Sequence, residues 1–123
     1  MDLKGEYLIP AKKLVVWEHL NNPETLKNSI KGCETLDKVS ETEFTAKVKA
    51  KVGPVSALFS GTVTLTDLEP PNSYVITGQG KGGAAGFAKG SVKIILLDSD
   101  ELNKTLLKYE GNAQVGGKLA QLG

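Results

Sequence analysis

The feature that most constrains this chain is a regular alternation of apolar or small residues with polar ones. The alternation runs from Phe44 to Val52 and resumes from Val55 to Leu65 after a Gly-Pro pair, and similar runs follow. Because successive side chains of a β-strand point to opposite faces, a period of two predicts strands with one buried face. Gly- and Pro-rich turn signals between the runs favour antiparallel neighbours joined by short connections.

The N-terminal part of the chain predicts one more strand and two short helices. Residues 3–9 alternate, and Pro10 then ends that strand. Leu14, Trp17 and Leu20 follow at helical spacing. Asn22-Pro23-Glu24 combines a capping residue, a first-turn Pro and an acid, which predicts a second helix that ends near Ile30. The expected architecture is α+β in one domain, 1–123: a strand, two short helices and about six antiparallel strands.

Composition excludes several classes of function. The 15 basic and 14 acidic residues give a net charge of +1, which argues against nucleic-acid binding. All the basic residues are Lys, so the bidentate Arg fork that favours phosphate and guanine is missing. A single His and a single Cys leave no disulfide and no His-rich or thiolate metal site. We therefore expect no metal, no cofactor and no catalytic residues.

The chain also lacks the apolar stretches that direct proteins into membranes. Its longest uninterrupted apolar runs are four residues long, Leu14–Trp17 and Ile94–Leu97, whereas a spanning helix needs roughly 20. The N-terminus has no apolar core like that of a signal peptide. These patterns predict a soluble, cytoplasmic protein.

Three local motifs favour ordinary structural interpretations. The segment from Gly78 to Gly83 matches the dinucleotide pattern G-x-G-x-x-G, but a strand follows it where a phosphate-binding helix is required. A flexible hairpin with a small, apolar, exposed tip is the better interpretation. His19 lies near the end of the first helix, where a protonated imidazole interacts favourably with the helix dipole. Cys33 is expected to be a small core residue, because no base lies near it in the sequence.

The face of the sheet that should be buried carries unusually small residues. Gly and Ala recur at the apolar positions of nearly every strand: Ala46, Ala50, Ala57, Gly61, Gly78, Ala88, Gly90, Gly111 and Ala113. Glycine permits strong sheet curvature or a closely packed helix, and small residues also leave room for a ligand. An empty pocket of ~300 Å³ would cost ~7 kcal/mol, so a closed, unfilled hollow is not expected to persist.

Two sets of polar residues have a structural and a functional interpretation. Lys47, Lys49 and Lys51 form a positive row on one strand face, which is typical of a solvated surface but also suits anionic lipid. Tyr7, Tyr74 and Tyr109 share the parity of the core residues. A tyrosine on that face needs a hydrogen-bond partner when it is buried, and the polar end of a ligand would provide one.

Segments distributed along nearly the whole chain resemble the carbon monoxide dehydrogenase G-subunit family, which belongs to the START-like, helix-grip superfamily. The resemblance is carried by Leu14-Val15-Val16-Trp17, Leu20–Glu24, Gly32-Cys33-Glu34, Val52-Gly53-Pro54-Val55, Phe59-Ser60-Gly61, Leu68–Pro71, the run Gly78–Gly90 and the ending Val115–Gly123. One departure is Lys31, which stands where the family has Pro before the Gly-Cys pair.

The resemblance implies a helix-grip fold: a curved antiparallel sheet of about 6–7 strands, two short helices after the first strand, and a long C-terminal helix across the concave face. This chain ends within the first turn of that helix, so we expect the helix to be truncated and the hydrophobic cavity to lack its main cover. An uncovered apolar face of that size favours homo-oligomers formed through the open sheet.

The resemblance further implies an accessory protein, not an enzyme. Family members are associated with molybdenum hydroxylases such as carbon monoxide dehydrogenase, and their suggested roles are carrying a quinone or lipid-like molecule or anchoring the enzyme at the inner membrane face. We expect a hydrophobic-ligand carrier, with a protein-interaction or assembly factor as the alternative and a polyketide cyclase-like enzyme as a weaker one. The expected ligand-cavity residues are Leu26, Ile30, Phe44, Val48, Phe59, Val63, Tyr74, Val92 and Tyr109.

Overall fold

In a computed structural model, which describes residues 2–29, 31–52, 54–117 and 120, seven antiparallel strands form a single sheet. The strands lie in the order β1-β7-β6-β5-β4-β3-β2. Strands β2 to β7 are therefore adjacent in sequence order, and the N-terminal strand β1 pairs with the C-terminal strand β7. The elements are β1 (Asp2–Ile9), α1 (Lys13–Leu20), α2 (Pro23–Ser29), β2 (Cys33–Lys38), β3 (Glu43–Val52), β4 (Val55–Glu69), β5 (Ser73–Lys81), β6 (Phe87–Asp98) and β7 (Thr105–Gly116).

The predicted succession of one strand, two helices and six strands is confirmed. The Asn22 side chain caps α2, since its Oδ1 accepts hydrogen bonds from the Glu24 amide at 2.9 Å and the Thr25 amide at 3.3 Å. Gly32 adopts a φ of +82° after the helix, the left-handed conformation that glycine allows. The chain between β1 and α1 is held to the sheet by Thr105, whose fully buried hydroxyl donates to the Ala11 carbonyl at 2.7 Å.

The core lies between α1 and one end of the concave face of the sheet. Its buried residues are Val16, Leu36, Phe44, Leu65, Tyr74, Ile94, Leu96 and Leu107. Trp17 of α1 meets Tyr74 of β5 edge to face, with ring centroids 5.2 Å apart. Both helices therefore cover only part of the sheet.

The structure confirms two of the three residues predicted for the buried face of α1, since Trp17 and Leu20 pack against the core, and corrects the third. The sequence spacing selected Leu14, Trp17 and Leu20, but Leu14 is 64% exposed and Val16 is the buried residue. The helix is only eight residues long, and the packing of Trp17 on Tyr74 fixes its rotation, so Val16 rather than Leu14 faces the sheet.

The Gly-rich segment forms the predicted hairpin between β5 and β6, and its connection has a defined local structure. Gly78 and Gly80 lie inside β5, and the connection is a compact turn that contains a short 3-10 helix, Gly83–Ala85. Gly83 and Gly86 have φ values of +59° and +113°, and these let the turn fold back so that Ala85 is buried. The predicted hairpin is confirmed, and its apolar residues are divided: Ala85 is buried, whereas Phe87 is 42% exposed. The predicted C-terminal helix falls on residues 118–123, which lie outside the described residues except for 120.

Candidate functional site

The concave face of the sheet is divided into a half with large side chains and a half with small ones. Beside α1, one cross-strand row joins Tyr74, Ile94 and Tyr109. Farther along the same strands the residues in register become small. One row holds Ala113, Gly90 and Gly78 and ends in the larger Val63 and the buried Phe44, and the next holds Val115, Ala88, Gly80, Gly61 and Ala46.

The small residues form the floor of an open apolar hollow of about 340 Å³. Its walls carry larger side chains from the neighbouring strands, Leu36 of β2, Val48 of β3, and Phe59 and Val63 of β4. The floor is contributed by Ala46, Gly61, Gly78, Gly80, Ala88, Gly90 and Ala113. A concave, mostly apolar surface of this size is typical of small-molecule sites.

The glycines on this face fall into two groups. At Gly61 and Gly111 an added Cβ would collide with backbone carbonyl oxygens, of Gln79 and Ser91 respectively, so the packing of the strands itself requires glycine there. At Gly78 and Gly80 the nearest atoms to an added Cβ lie 3.8 Å away, an ordinary contact distance. Neither of these two glycines has a positive φ. Backbone geometry therefore does not explain glycine at 78 and 80.

Phe59 closes one side of the hollow. Its ring lies directly over Gly82, where an added Cβ would stand 2.6 Å from the ring edge. This arrangement, in which an aromatic ring covers a glycine on the neighbouring chain segment, holds the ring flat against the sheet. Phe59 is only partly buried, so one side of its ring remains available to a molecule in the hollow.

A pair of tyrosines occupies the same face at the β1 edge. The rings of Tyr7 and Tyr109 stack with centroids 5.9 Å apart and planes 17° apart, and Tyr109 covers Gly5 in the way that Phe59 covers Gly82. The electrostatic effect of Tyr7, followed by a hydrogen bond between the two side chains, raises the pKa of Tyr109. Tyr7 is 63% exposed, so this pair provides accessible hydroxyl groups on the concave face.

Comparison with known proteins identifies the family. Residues 5–123 match the family of the carbon monoxide dehydrogenase G-subunit (CoxG). The chain belongs to this family. Among curated proteins, none matches the sequence significantly.

Solved structures confirm the helix-grip fold of this CoxG-family chain. A conserved protein from Geobacillus kaustophilus is 28% identical, with a TM-score of 0.90 over 100% of this chain and 80% of its own. A START superfamily protein from Mycobacterium smegmatis is 11% identical, with a TM-score of 0.68 over 94% of this chain and 77% of its own. The di-domain ARO/CYC protein BexL, from the BE-7585A biosynthetic pathway, is 8% identical, with a TM-score of 0.60 over 94% of this chain and 36% of its own.

The residues predicted to form the ligand cavity are spread over the two halves of the concave face. Val48, Phe59 and Val63 line the hollow. Phe44 and Tyr74 are fully buried in the core, and burial raises the pKa of Tyr74 to about 12. Leu26, Val92 and Tyr109 are partly buried against that core. Ile30 lies outside the described residues.

Several residues around the hollow were not among those predicted. Leu36 on β2 completes one wall. Tyr7, which the sequence suggested for the polar end of a ligand, lies outside the lining of the hollow and stacks on Tyr109. The small residues of the floor were visible in the sequence as a pattern. The alternation did not distinguish Gly78 and Gly80 from glycines that the backbone requires, because that distinction depends on distances between strands.

The reactive residues singled out in the sequence do not line the hollow, although Cys33 is the cross-strand partner of the wall residue Val48. His19 is exposed, and its Nδ1 lies 3.2 Å from the Thr25 hydroxyl. Cys33 is half-buried against the core, and its Sγ donates to the Thr35 carbonyl at 3.3 Å. Within the part of the chain that the structure describes, no three His, Cys, Asp or Glu side chains are grouped to hold a metal ion. No helix in the same ranges has the length and apolarity needed to cross a bilayer.

Proposed function

We propose that this CoxG-family chain carries a small hydrophobic molecule with a polar end, such as a quinone or a lipid, in the hollow of its concave face. The family and the START-like fold together suggest a hydrophobic ligand-binding or accessory protein. The single observation that supports the carrier role is the floor of Gly and Ala residues, which leaves about 340 Å³ of apolar space. Gly78 and Gly80 keep that space open although backbone geometry does not demand glycine at either position.

Burial of apolar surface would provide most of the binding free energy. Each 100 Å² of apolar ligand surface removed from water contributes ~2.5 kcal/mol, and the walls formed by Val48, Phe59 and Val63 offer such surface. The hydroxyls of Tyr7 and Tyr109 lie on the same face but outside the lining of the hollow, four residues from Ala113 along β7, so they would bind the polar end of a ligand long enough to extend from the hollow towards β1.

We further propose that the carrier serves a molybdenum hydroxylase of the carbon monoxide dehydrogenase type as a non-catalytic accessory protein. The name of the family, which describes a subunit of that enzyme, supports this proposal. A role at the inner face of the membrane is consistent with the exposed Lys47, Lys49 and Lys51 on the outer face of β3, since each Lys near an anionic surface contributes ~1 kcal/mol.

An assembly or recruitment factor that works without a ligand is the second candidate, and the same family name favours it. The two candidates differ in whether the hollow is needed. A pull-down that recovers a molybdenum hydroxylase equally well with wild-type protein and with a variant whose hollow is filled would favour the assembly factor.

The direct test of the carrier is ligand binding by the purified protein. Native mass spectrometry and solvent extraction would show any co-purified lipid or quinone, and titration with ubiquinone-1 and with oleate would give dissociation constants. Protein that is ligand-free on purification and binds neither probe would contradict the carrier proposal.

Phe59→Ala provides a residue-specific version of this test. Removing the ring takes away a wall of the hollow, and we expect the dissociation constant for a bound probe to rise roughly tenfold, the equivalent of about 1.4 kcal/mol. Leu58→Ala is the matched control, because Leu58 adjoins Phe59 on the opposite, convex face and is 47% exposed. Equal effects of the two substitutions would remove Phe59 from the site.

A further inference from the structure

The two edges of the sheet differ in how well they are protected. At one edge, β2 is six residues long, its pairing with β3 is interrupted by an irregularity between Cys33 and Thr35, and α2 packs against it. At the other edge, β1 pairs with β7 in continuous register over all eight residues, Asp2–Ile9. Edge strands present a row of backbone donors and acceptors to any further strand, and long regular edges favour such pairing.

Residues 3–7 of β1 form complementary pairs about Gly5, and outside them Asp2 and Leu8 are the next residues at equal distances from it. Leu3 and Tyr7 lie on the concave face at equal distances from it, and Lys4 and Glu6 flank it on the convex face. In an antiparallel pair of two β1 strands centred on Gly5, Lys4 of each copy lies opposite Glu6 of the other. Leu3 of each copy likewise lies opposite Tyr7. Both sets of cross-strand pairs are favourable.

Two neighbouring registers also keep the concave faces of the two copies on the same side of the sheet, and both are unfavourable. A shift of the centre to Lys4 places the two Lys4 side chains opposite each other, and a shift to Glu6 does the same for the two Glu6 side chains. Directly opposed like charges destabilise a strand pair. Among these three registers, the sequence of β1 is therefore complementary to a second copy of itself only in the one centred on Gly5.

We infer that β1 is a homodimerisation edge, where β1 of a second copy pairs antiparallel about Gly5. The twofold axis would run perpendicular to the sheet, so both concave faces open on the same side and the sheet becomes continuous across the two copies. Tyr7 and Leu8, which are 63% and 49% exposed in the single chain, would become partly covered. This inference concerns the edge and does not depend on the proposed ligand.

The test uses two single substitutions of opposite charge in the full chain. Lys4→Glu places a carboxylate opposite Glu6 of the second copy, and Glu6→Lys places an ammonium group opposite Lys4 of the second copy, so each variant alone should repel itself. In a mixture the charges are complementary again. We expect sedimentation equilibrium to give a wild-type dimer, a dissociation constant raised at least roughly tenfold for each variant, and recovery to within a few-fold in the 1:1 mixture.

The mixture also controls for effects within one chain. Lys4 lies across from Glu110 on β7, and Glu6 lies across from Lys108, so each substitution also perturbs its own sheet. That perturbation is the same whether a variant is alone or mixed, and recovery on mixing therefore reports pairing between chains. Lys89→Glu, an equal charge change on the convex side of β6 opposite Gln79 and Gln114, should leave the dissociation constant unchanged.

A wild-type protein that stays monomeric at 0.5 mM would overturn the inference. So would a dimer that ignores all three substitutions, a result expected if copies associate through the open concave face. If the variants do not fold, hydrogen exchange of the wild-type chain decides: amides of β1 should exchange more slowly as concentration rises. Exchange in β1 that is independent of concentration would count against the edge.

Discussion

Gly78 and Gly80 destabilise the strand in which they lie, but they leave the space in which we propose that a ligand binds. Glycine inside a strand is unfavourable, because its backbone loses more freedom on folding and no side chain packs against the neighbouring strands. At Gly61 no larger residue fits, because an added Cβ would collide with the Gln79 carbonyl oxygen. At Gly80 the closest atom to an added Cβ is the Ser60 carbonyl oxygen, 3.8 Å away, so what the glycine provides is space in the hollow.

Gly80→Val is therefore expected to separate stability from binding. Valine suits a strand, and its methyl groups would occupy the hollow. The free energy of unfolding should rise by about 0.5–1 kcal/mol, while affinity for ubiquinone-1 or oleate should fall by at least roughly tenfold. Urea denaturation and ligand titration measure the two effects. Gly61→Val is the control and should lose stability. A Gly80→Val protein that binds as tightly as wild type would show that the hollow is not the site.

Tyr74 predicts how stability depends on alkaline pH. Burial raises the pKa of Tyr74 to about 12, above the value near 10 expected when the chain is unfolded. The folded state therefore holds this proton more tightly. Its contribution is fully present below pH 10 and is lost as pH rises from 10 through 12. The loss is of the order of 2–3 kcal/mol.

Tyr74→Phe removes this titration, so the variant should lose less stability than wild type between pH 9.5 and 12. Urea denaturation at a series of pH values measures the difference, and the ionisation of the lysines is common to both proteins. Parallel stability curves for the two proteins would mean that the Tyr74 hydroxyl ionises as freely in the folded state as in the unfolded one.

At the scale of elements, α1 shows how tertiary packing selects one face of a short helix. Leu14, Val15, Val16 and Trp17 form a continuous apolar run, so hydrophobic periodicity alone leaves the rotation of the helix poorly defined. Trp17 meets Tyr74 at 5.2 Å. The contact turns Val16 towards the sheet and Leu14 towards solvent, where it is 64% exposed.

Substitutions at these two positions should therefore differ in cost. Val16→Ala removes two buried methyl groups and should lower the free energy of unfolding by about 2 kcal/mol. Leu14→Ala deletes more atoms but should change it by no more than about 0.5 kcal/mol. Urea denaturation of both variants at neutral pH provides the measurement. If Leu14→Ala lowered the free energy of unfolding more than Val16→Ala, Leu14 would be buried, as the sequence spacing predicted.

The strands were predictable from sequence because their alternation is a local property, and so were the Asn22 cap and the Gly32 terminus. The hairpin after β5 was predictable too, but the burial of Ala85 in it was not, since that depends on how Gly83 and Gly86 fold the turn back against β4. For the site, alternation identified a small-residue face but not which part of it stays open. That division depends on tertiary packing, because Phe44 is in register with Val63 and Gly78 of the hollow and is nevertheless fully buried in the core, whereas Phe59 borders the hollow.

At the scale of the whole molecule, each long strand crosses from the helix-covered core to the open hollow. On β5 the buried Tyr74 begins the strand, and Gly78 and Gly80 lie near its end. On β6 the order is reversed, with Ala88 and Gly90 before the buried Ile94 and Leu96. Local stability depends on buried apolar contacts, so it should vary along each strand more than between strands.

Hydrogen exchange should show this gradient directly. Amides near Tyr74, Ile94 and Leu96 are expected to exchange slowly, and those of residues 78–80 and 88–90 faster. A ligand at a free concentration of a hundred times its dissociation constant stabilises the folded state by about 2.7 kcal/mol. Global unfolding would then slow everywhere, but the additional slowing from local ordering should fall on the fast segments at the hollow. Uniform exchange along β5 would contradict the division of the concave face into a helix-covered core and an open hollow. So would a bound ligand that slows exchange only at the helix-covered end.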